Sequence, residues 1–363
     1  MSRGTCAHID PSALAYNLQQ VRFLAPEARI WAVVKADGYG HGAVDVARAM
    51  HQADGFAVAT LAEAQELRNA GIDARILLLE GTLGPLQALD AVRLGCDTVV
   101  HQPEQLAFLE AMAERLDHQT IWLKVDTGMH RLGVEPDQVP ECARRIRRLR
   151  PGHPIHLMTH FANADDSDSP VTNTQLARVE QLVSALPATQ VSLANSAGVM
   201  AWPASHADWV RPGIMLYGSS PGFGKTGLEL GLKPAMRLTA PVIALRTVPA
   251  GDGVGYGGRW QAKRNSRVAT LAIGYGDGYP RHAPDNTPVW LCGHRVPLVG
   301  KVSMDMLTVD VTDIPEVRLG ETAELWGEHL SVDEVALSVG TIGYELLTRV
   351  SPRVDRVWLK TEQ

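Results

Sequence analysis

The stretch Trp31-Ala32-Val33-Val34-Lys35-Ala36-Asp37-Gly38-Tyr39-Gly40-His41-Gly42 runs four apolar residues into a lysine and then into glycine-rich chain. A short apolar run bounded by a turn signal reads as a buried strand. The lysine at its end places an ammonium where charge is expensive to bury. Similar runs recur, and together they read as eight strands over 29–35, 55–59, 75–79, 97–101, 120–124, 155–160, 190–194 and 209–211. Helical stretches rich in Ala, Leu, Arg and Glu separate them. Two have start signals: Thr60-Leu61-Ala62-Glu63 has capping-box spacing, and Gln102-Pro103 puts proline at a helix start. Eight parallel strands alternating with helices predict an α/β fold, a TIM-type (β/α)8 barrel. Strand counting alone leaves a doubly wound open sheet as the alternative.

The texture changes after about residue 235. Helical stretches become rare, and alternating runs broken by Gly and Pro replace them, such as Lys301-Val302-Ser303-Met304-Asp305-Met306-Leu307-Thr308-Val309-Asp310. This predicts a barrel over 8–225 and a mostly β C-terminal domain over 226–363 that also takes in residues 1–7. The boundary falls in the loop-like segment 219–227.

Lys and Arg number 34 against 40 Asp and Glu, a net charge of −6, which argues against a nucleic-acid partner. Cys6, Cys96, Cys142 and Cys292 are widely spaced without a CxxC pair, so neither a zinc site nor a disulfide framework is expected. The first ten residues lack the apolar core of a signal peptide, and no apolar run approaches the roughly 20 residues that span a bilayer. A cytoplasmic protein with no membrane partner is the expectation.

Barrel enzymes place their chemistry at the carboxyl ends of the strands. Those ends are Lys35, His101, Lys124 with Asp126 and Arg131 beyond it, His160, Asn195 with Ser196, and Arg211. A desolvated lysine has a lowered pKa, so its amine can attack a carbonyl and form a Schiff base. Pyridoxal phosphate is the cofactor that uses this linkage most widely. Barrels bind phosphate in the loops after strands seven and eight, and Ser196 and Gly213-Ile214 follow those strands here.

Other motifs read as structure. Gly253-Val254-Gly255-Tyr256-Gly257-Gly258 fits GxGxxG, but it leads to a β run and reads as a turn. Gly224-Lys225-Thr226 lacks the first glycine of a P-loop, because position 219 is serine. His153 and His156 lack the carboxylate partner and HExxH spacing of a metal site. Residues 165–170 read as a solvated loop at a helix start, and the arginine-rich run 144–150 as an exposed helix face.

Further motifs join these. They are Lys124-Val125-Asp126-Thr127-Gly128-Met129-His130-Arg131-Leu132-Gly133, Met158-Thr159-His160-Phe161-Ala162, Asn195-Ser196-Ala197, Arg211-Pro212-Gly213-Ile214-Met215-Leu216-Tyr217-Gly218, Val254-Gly255-Tyr256-Gly257, Ile273-Gly274-Tyr275-Gly276-Asp277-Gly278-Tyr279-Pro280-Arg281, Val302-Ser303-Met304-Asp305-Met306 and Thr341-Ile342-Gly343-Tyr344-Glu345. With the opening stretch and in this order, over about residues 8–357, the chain resembles bacterial alanine racemase. The resemblance implies a pyridoxal 5'-phosphate enzyme interconverting L- and D-alanine, a peptidoglycan precursor, in a head-to-tail homodimer. It implies that Lys35 carries the cofactor and acts as one acid/base, with Tyr256 from the other subunit opposite. Tyr39, Ser196, Gly213, Ile214 and Tyr344 would hold the phosphate, and Arg211 would face the pyridine nitrogen. Arg131 and the Met304 backbone of the partner would bind the substrate carboxylate. His160 would link Arg211 to Tyr256, Lys124 matches a lysine often carbamylated, and Tyr275 and Asp305 would line the entrance. Lys301 departs from the arginine common in relatives.

Three rivals follow from the same layout. They are an amino-acid decarboxylase, a non-catalytic cofactor-binding barrel, and a racemase of broader specificity. A decarboxylase of this architecture would carry an acid at the ring nitrogen, where this chain has Arg211. The long β domain speaks against the simple binding protein. His41 either touches the site or only caps the helix that follows.

Overall fold

The computed structural model describes residues 3–116, 119–186 and 190–360. The chain opens with strand β1 (Cys6–Ile9) and the helix Pro11–Leu24, capped by the Asp10 side chain. Eight strands then alternate with helices: β2 (Arg29–Val33), β3 (Gly55–Val58), β4 (Ile76–Leu78), β5 (Asp97–Val100), β6 (Ile121–Lys124), β7 (His156–Met158), β8 (Gln190–Ser192) and β9 (Trp209–Val210). All pair in parallel and in sequence order. Pairing of Arg29 with Trp209 and Ile30 with Val210 closes β9 onto β2, so the sheet is a barrel and not an open one.

The strands lie where the apolar runs place them. Seven of them end one or two residues earlier than expected, where the chain leaves the ladder to turn at the barrel mouth. The amino-terminal half of the barrel is filled by aromatics. Trp31 and Trp209 stack at 4.5 Å, and Trp122 meets Trp209 edge-on. Arg75 lies over Trp31 and bonds Asp97. His156 packs edge-on against Trp122 in the core. The capping box Thr60/Glu63 and the proline start at Pro103 are both present.

The second unit is mostly β, as expected. Its strands are β10 (Met236–Val248), β11 (Gly253–Val254), β12 (Trp260–Gln261), β13 (Ser266–Leu271), β14 (Pro288–Leu291), β15 (His294–Pro297), β16 (Leu307–Asp310), β17 (Thr322–Trp326) and β18 (Asp355–Trp358). The 13-residue β10 pairs with β1, β13 and β17 in one eight-stranded sheet, with register shifts at Val242/Ala244 and Leu238/Thr239. β1 lies between β10 and β18, so the start of the chain is built into this sheet. The GxGxxG segment is the β11–β12 hairpin.

One expectation fails. Of the alternating run 301–310, only Leu307–Asp310 is strand. The preceding residues form a turn closed by Ser303 N–H to Met306 O, because a neighbouring loop takes their carbonyls. Tyr275 N–H donates to Ser303 O at 3.0 Å and Gly276 N–H to Met304 O at 2.8 Å. Among the described residues, no helix is long and apolar enough to cross a membrane.

Candidate active site

A cavity of about 680 Å³ opens at the carboxyl ends of the barrel strands. Eleven of the residues singled out above line it: Lys35, Tyr39, Lys124, Arg131, His160, Asn195, Ser196, Arg211, Gly213, Ile214 and Tyr344.

Lys35 is followed by a turn of unusual hand. Ala36, Asp37, Gly38 and Tyr39 all sit at φ between 52° and 58° and ψ between 40° and 51°, a left-handed helical turn. Such backbone costs an L-residue roughly 1–2 kcal/mol, and only Gly38 escapes this. The turn is therefore tightly bonded, not loose. Gly38 N–H donates to Val34 O, Gly42 N–H to Asp37 O, and Ala43 N–H to the Asp37 carboxylate. Its effect is to aim Lys35 and Tyr39 into the same cavity.

Burial and the nearby Arg131 guanidinium lower the Lys35 ammonium below its ordinary range, opposed by Glu80 and Glu63. Tyr39 stacks on Tyr217 at 4.7 Å, and Tyr217 donates to Val33 O. His41 is buried off the cavity. Its Nδ1 meets Tyr39 O at 2.9 Å and its ring tilts against Tyr217, so it supports the turn from behind.

At one end of the cavity hydroxyls and amides converge. Burial pushes the Tyr39 and Tyr344 phenols up, which keeps them protonated as donors. Ser196 Oγ accepts from Gly213 N–H at 2.9 Å, leaving its own proton free to donate outward. Ile214 opens a helical turn, where the first N–H groups lack an internal partner. A Cβ on Gly213 would lie 2.4 Å from the Tyr39 hydroxyl, so glycine is what lets Tyr39 close this cradle. Donors without a matching cation suit a phosphate held by hydrogen bonds.

Deeper in, the Arg211 guanidinium is fixed by Ser192 Oγ (2.7 Å), Thr159 O (2.6 Å) and Leu193 O (3.2 Å). It also approaches His160 Nδ1 at 3.4 Å. Desolvation first, then the Arg211, Lys124, Arg131 and Lys35 cations, hold His160 well below its ordinary pKa, so the imidazole is neutral. Lys124 is buried and lowered to about 8 by desolvation and by Arg211, Arg131 and Lys35. These donors and this lysine fit pyridoxal phosphate: an amine for the aldehyde, a fixed guanidinium and a hydroxyl cradle.

Four singled-out residues of the β domain lie elsewhere. Tyr256 is 70% exposed in the loop of the β11–β12 hairpin, and Met304 is 53% exposed. Tyr275 and Asp305 lie on the same pair of bonded loops as Met304. Arg3 and Arg353 clamp these loops, both reaching Asp277 and Asp305.

Models of the N-terminal and C-terminal domains of alanine racemase match residues 9–221 and 235–358. An alanine racemase from Shewanella loihica is 51% identical over 349 residues, covering 96% of this chain and 97% of its own length. The chain belongs to the alanine racemase family. It is thus an amino-acid isomerase acting on alanine. The solved biosynthetic alanine racemase from Pseudomonas aeruginosa superposes with a TM-score of 0.94 at 48% identity, covering 99% of this chain and 100% of that one. The alanine racemase from Bartonella henselae, a structure with covalently bound pyridoxal phosphate, has a TM-score of 0.89 at 30% identity, covering 98% and 99%.

Two strand-end candidates do not line the cavity of this family member. His101 turns aside to Glu80 O and Gln105. Asp126 instead accepts the N–H groups of Gly128, Met129 and His130, shaping the loop that carries Arg131. Conversely Glu80, Ile342, Glu345 and Thr348 line it without having been given a role. Glu80 was one residue past a strand end and could have been found there.

Proposed function

We propose that this alanine racemase binds pyridoxal 5'-phosphate through Lys35 and racemises alanine with two bases, Lys35 on one face of Cα and Tyr256 of the partner subunit on the other. The observation that carries the reading is the convergence of a desolvated lysine, a fixed arginine and a hydroxyl cradle on one cavity. Tyr39, Ser196, Gly213, Ile214 and Tyr344 would hold the phosphate, and Arg211 would face the ring nitrogen. The cofactor, when bound, supplies an aldehyde for the lysine and a conjugated ring that draws electron density from Cα.

Lys35 then takes or returns a proton at Nζ, with desolvation and Arg131 favouring its neutral amine. Arg131 orients the substrate carboxylate with the backbone of Met304 of the partner subunit. Arg211 cannot give up a proton near neutrality. It holds the neutral His160 through Nδ1, which leaves Nε2–H to stabilise the phenolate of Tyr256 from the partner subunit.

Tyr256 lies outside its own chain's cavity and is exposed, which supports its service in a second copy. Met304 and Tyr275 are likewise exposed outside that cavity and Asp305 is half-buried outside it, and we assign Tyr275 and Asp305 to the entrance. The functional units we assign are the barrel, 8–225, and the β domain, 226–363 with residues 1–7. Among the described residues the four cysteines are free, which supports a cytoplasmic setting.

The test is incubation with L-alanine in deuterium oxide. The reading expects deuterium at Cα of a D-alanine product, with exchange abolished in Lys35→Ala. Release of carbon dioxide, or bound cofactor with neither exchange nor product, would sink it.

A further inference from the structure

Glu63 is the last residue of the capping box at the helix Leu61–Asn69. Such a box needs the glutamate to accept one N–H, that of the N-cap residue, and Thr60 supplies it at 3.0 Å. This carboxylate does more. Its Oε2 also accepts from Ala59 N–H at 2.8 Å, and its Oε1 accepts from Ala36 N–H at 2.7 Å. Ala36 is the residue after Lys35 and the first of the four left-handed residues. The carboxylate therefore ties the ends of β2 and β3 together at the point where the backbone reverses its hand. The far side of the turn is tied by Asp37 to Ala43.

We propose that Glu63 is a positioning residue of the active site, fastening the peptide after Lys35 so that the left-handed turn presents Lys35 and Tyr39 to the cavity together. Its value to the reaction rests on the reading of those two residues as cofactor-binding. Helix capping is a separable role, because Thr60 contributes its hydroxyl to the box without touching Ala36.

The experiment compares Glu63→Gln with Thr60→Ala. Glutamine has a single accepting oxygen, so it cannot serve both the cap and Ala36. Thr60→Ala weakens the same helix start and leaves the Ala36 bond. Two readouts are taken on the full chain: the rate of acetic-anhydride labelling of Lys35 without cofactor, and retention of pyridoxal 5'-phosphate by absorbance. Glu63→Gln is expected to raise Lys35 labelling at pH 7 more than twofold, because the peptide after Lys35 is no longer fastened and the amine gains access to solvent. It should also weaken cofactor retention about tenfold, about 1.4 kcal/mol. Thr60→Ala should stay within twofold of the unchanged protein in both. Equal effects of the two variants, or no effect of Glu63→Gln, overturn the proposal.

If Lys35 carries no cofactor, the labelling arm still decides the role of Glu63 and the cofactor reading alone fails. If Glu63→Gln does not fold, amide exchange at Ala36 in the unchanged protein decides. Protection at pH 7 that disappears as the carboxylate protonates supports the bond, and free exchange at pH 7 contradicts it.

Discussion

Lys124 is buried among Arg211, Arg131 and Lys35, with Glu80 as an opposing charge. Two effects act together: desolvation disfavours its ammonium, and neighbouring cations add to the cost. A neutral amine can attack carbon dioxide, forming an N–C bond and releasing a proton. The product is an anionic carbamate beside Arg131, which relieves the cluster. Under a fixed pressure of 13C-labelled carbon dioxide, we expect one carbamate resonance per chain, lost in Lys124→Ala. Its amine is lowered to about 8, so protonation competes below that pH and the signal should fall as pH drops toward 6. A spectrum without the resonance at pH 8 would rule the modification out.

At this scale the sequence was readable where a motif names a side chain and opaque where direction matters. Strand ends point to one mouth of the barrel, but they do not tell which way a side chain turns. So Lys35 and Arg211 line the cavity, whereas His101 and Asp126 bond backbone instead.

The turn 36–39 is the element that sets the site's geometry, and its hand could not be read in advance. Glycines flag a turn, yet Ala36, Asp37 and Tyr39 resist left-handed backbone, so composition alone argues against it. Tertiary bonds from Glu63 and Asp37 overrule that local preference. A prediction of unusual sign follows. Ala36→Gly relieves roughly 1–2 kcal/mol of backbone strain and gives back roughly 0.4–1 kcal/mol through a freer unfolded chain. Calorimetry should show stability unchanged or raised, by at most roughly 1.6 kcal/mol and at mid-range about 1 kcal/mol. A loss of that size, usual for Ala→Gly in a right-handed helix, would mean that the turn is not strained.

The barrel strands were legible because each is an apolar run closed by turn signals. The segment 301–306 was not, because its carbonyls bond a loop some thirty residues earlier in the chain, at 275 and 276.

Across the whole molecule, β1 enters the sheet of β10 and β18, so the first and last parts of the chain share one sheet. At four residues β1 is too short for its alternation to have named it as a strand, and nothing in it names its partners. The loops bearing Tyr275 and Met304 are fixed by Arg3, near the start, and Arg353, near the end. This arrangement presents Tyr256 and Met304 outward on a body that holds its own Lys35 in the cavity.

The central claim is that each site draws Lys35 from one subunit and Tyr256 from the other. The most direct measurement mixes Lys35→Ala with Tyr256→Phe, each close to inactive alone, and allows subunits to exchange. Half of the resulting dimers are mixed, and each mixed dimer holds one intact site. The account predicts recovery to about a quarter of the wild-type alanine racemisation rate. Mixed dimers that form, as native mass spectrometry would show, and recover no activity would contradict it.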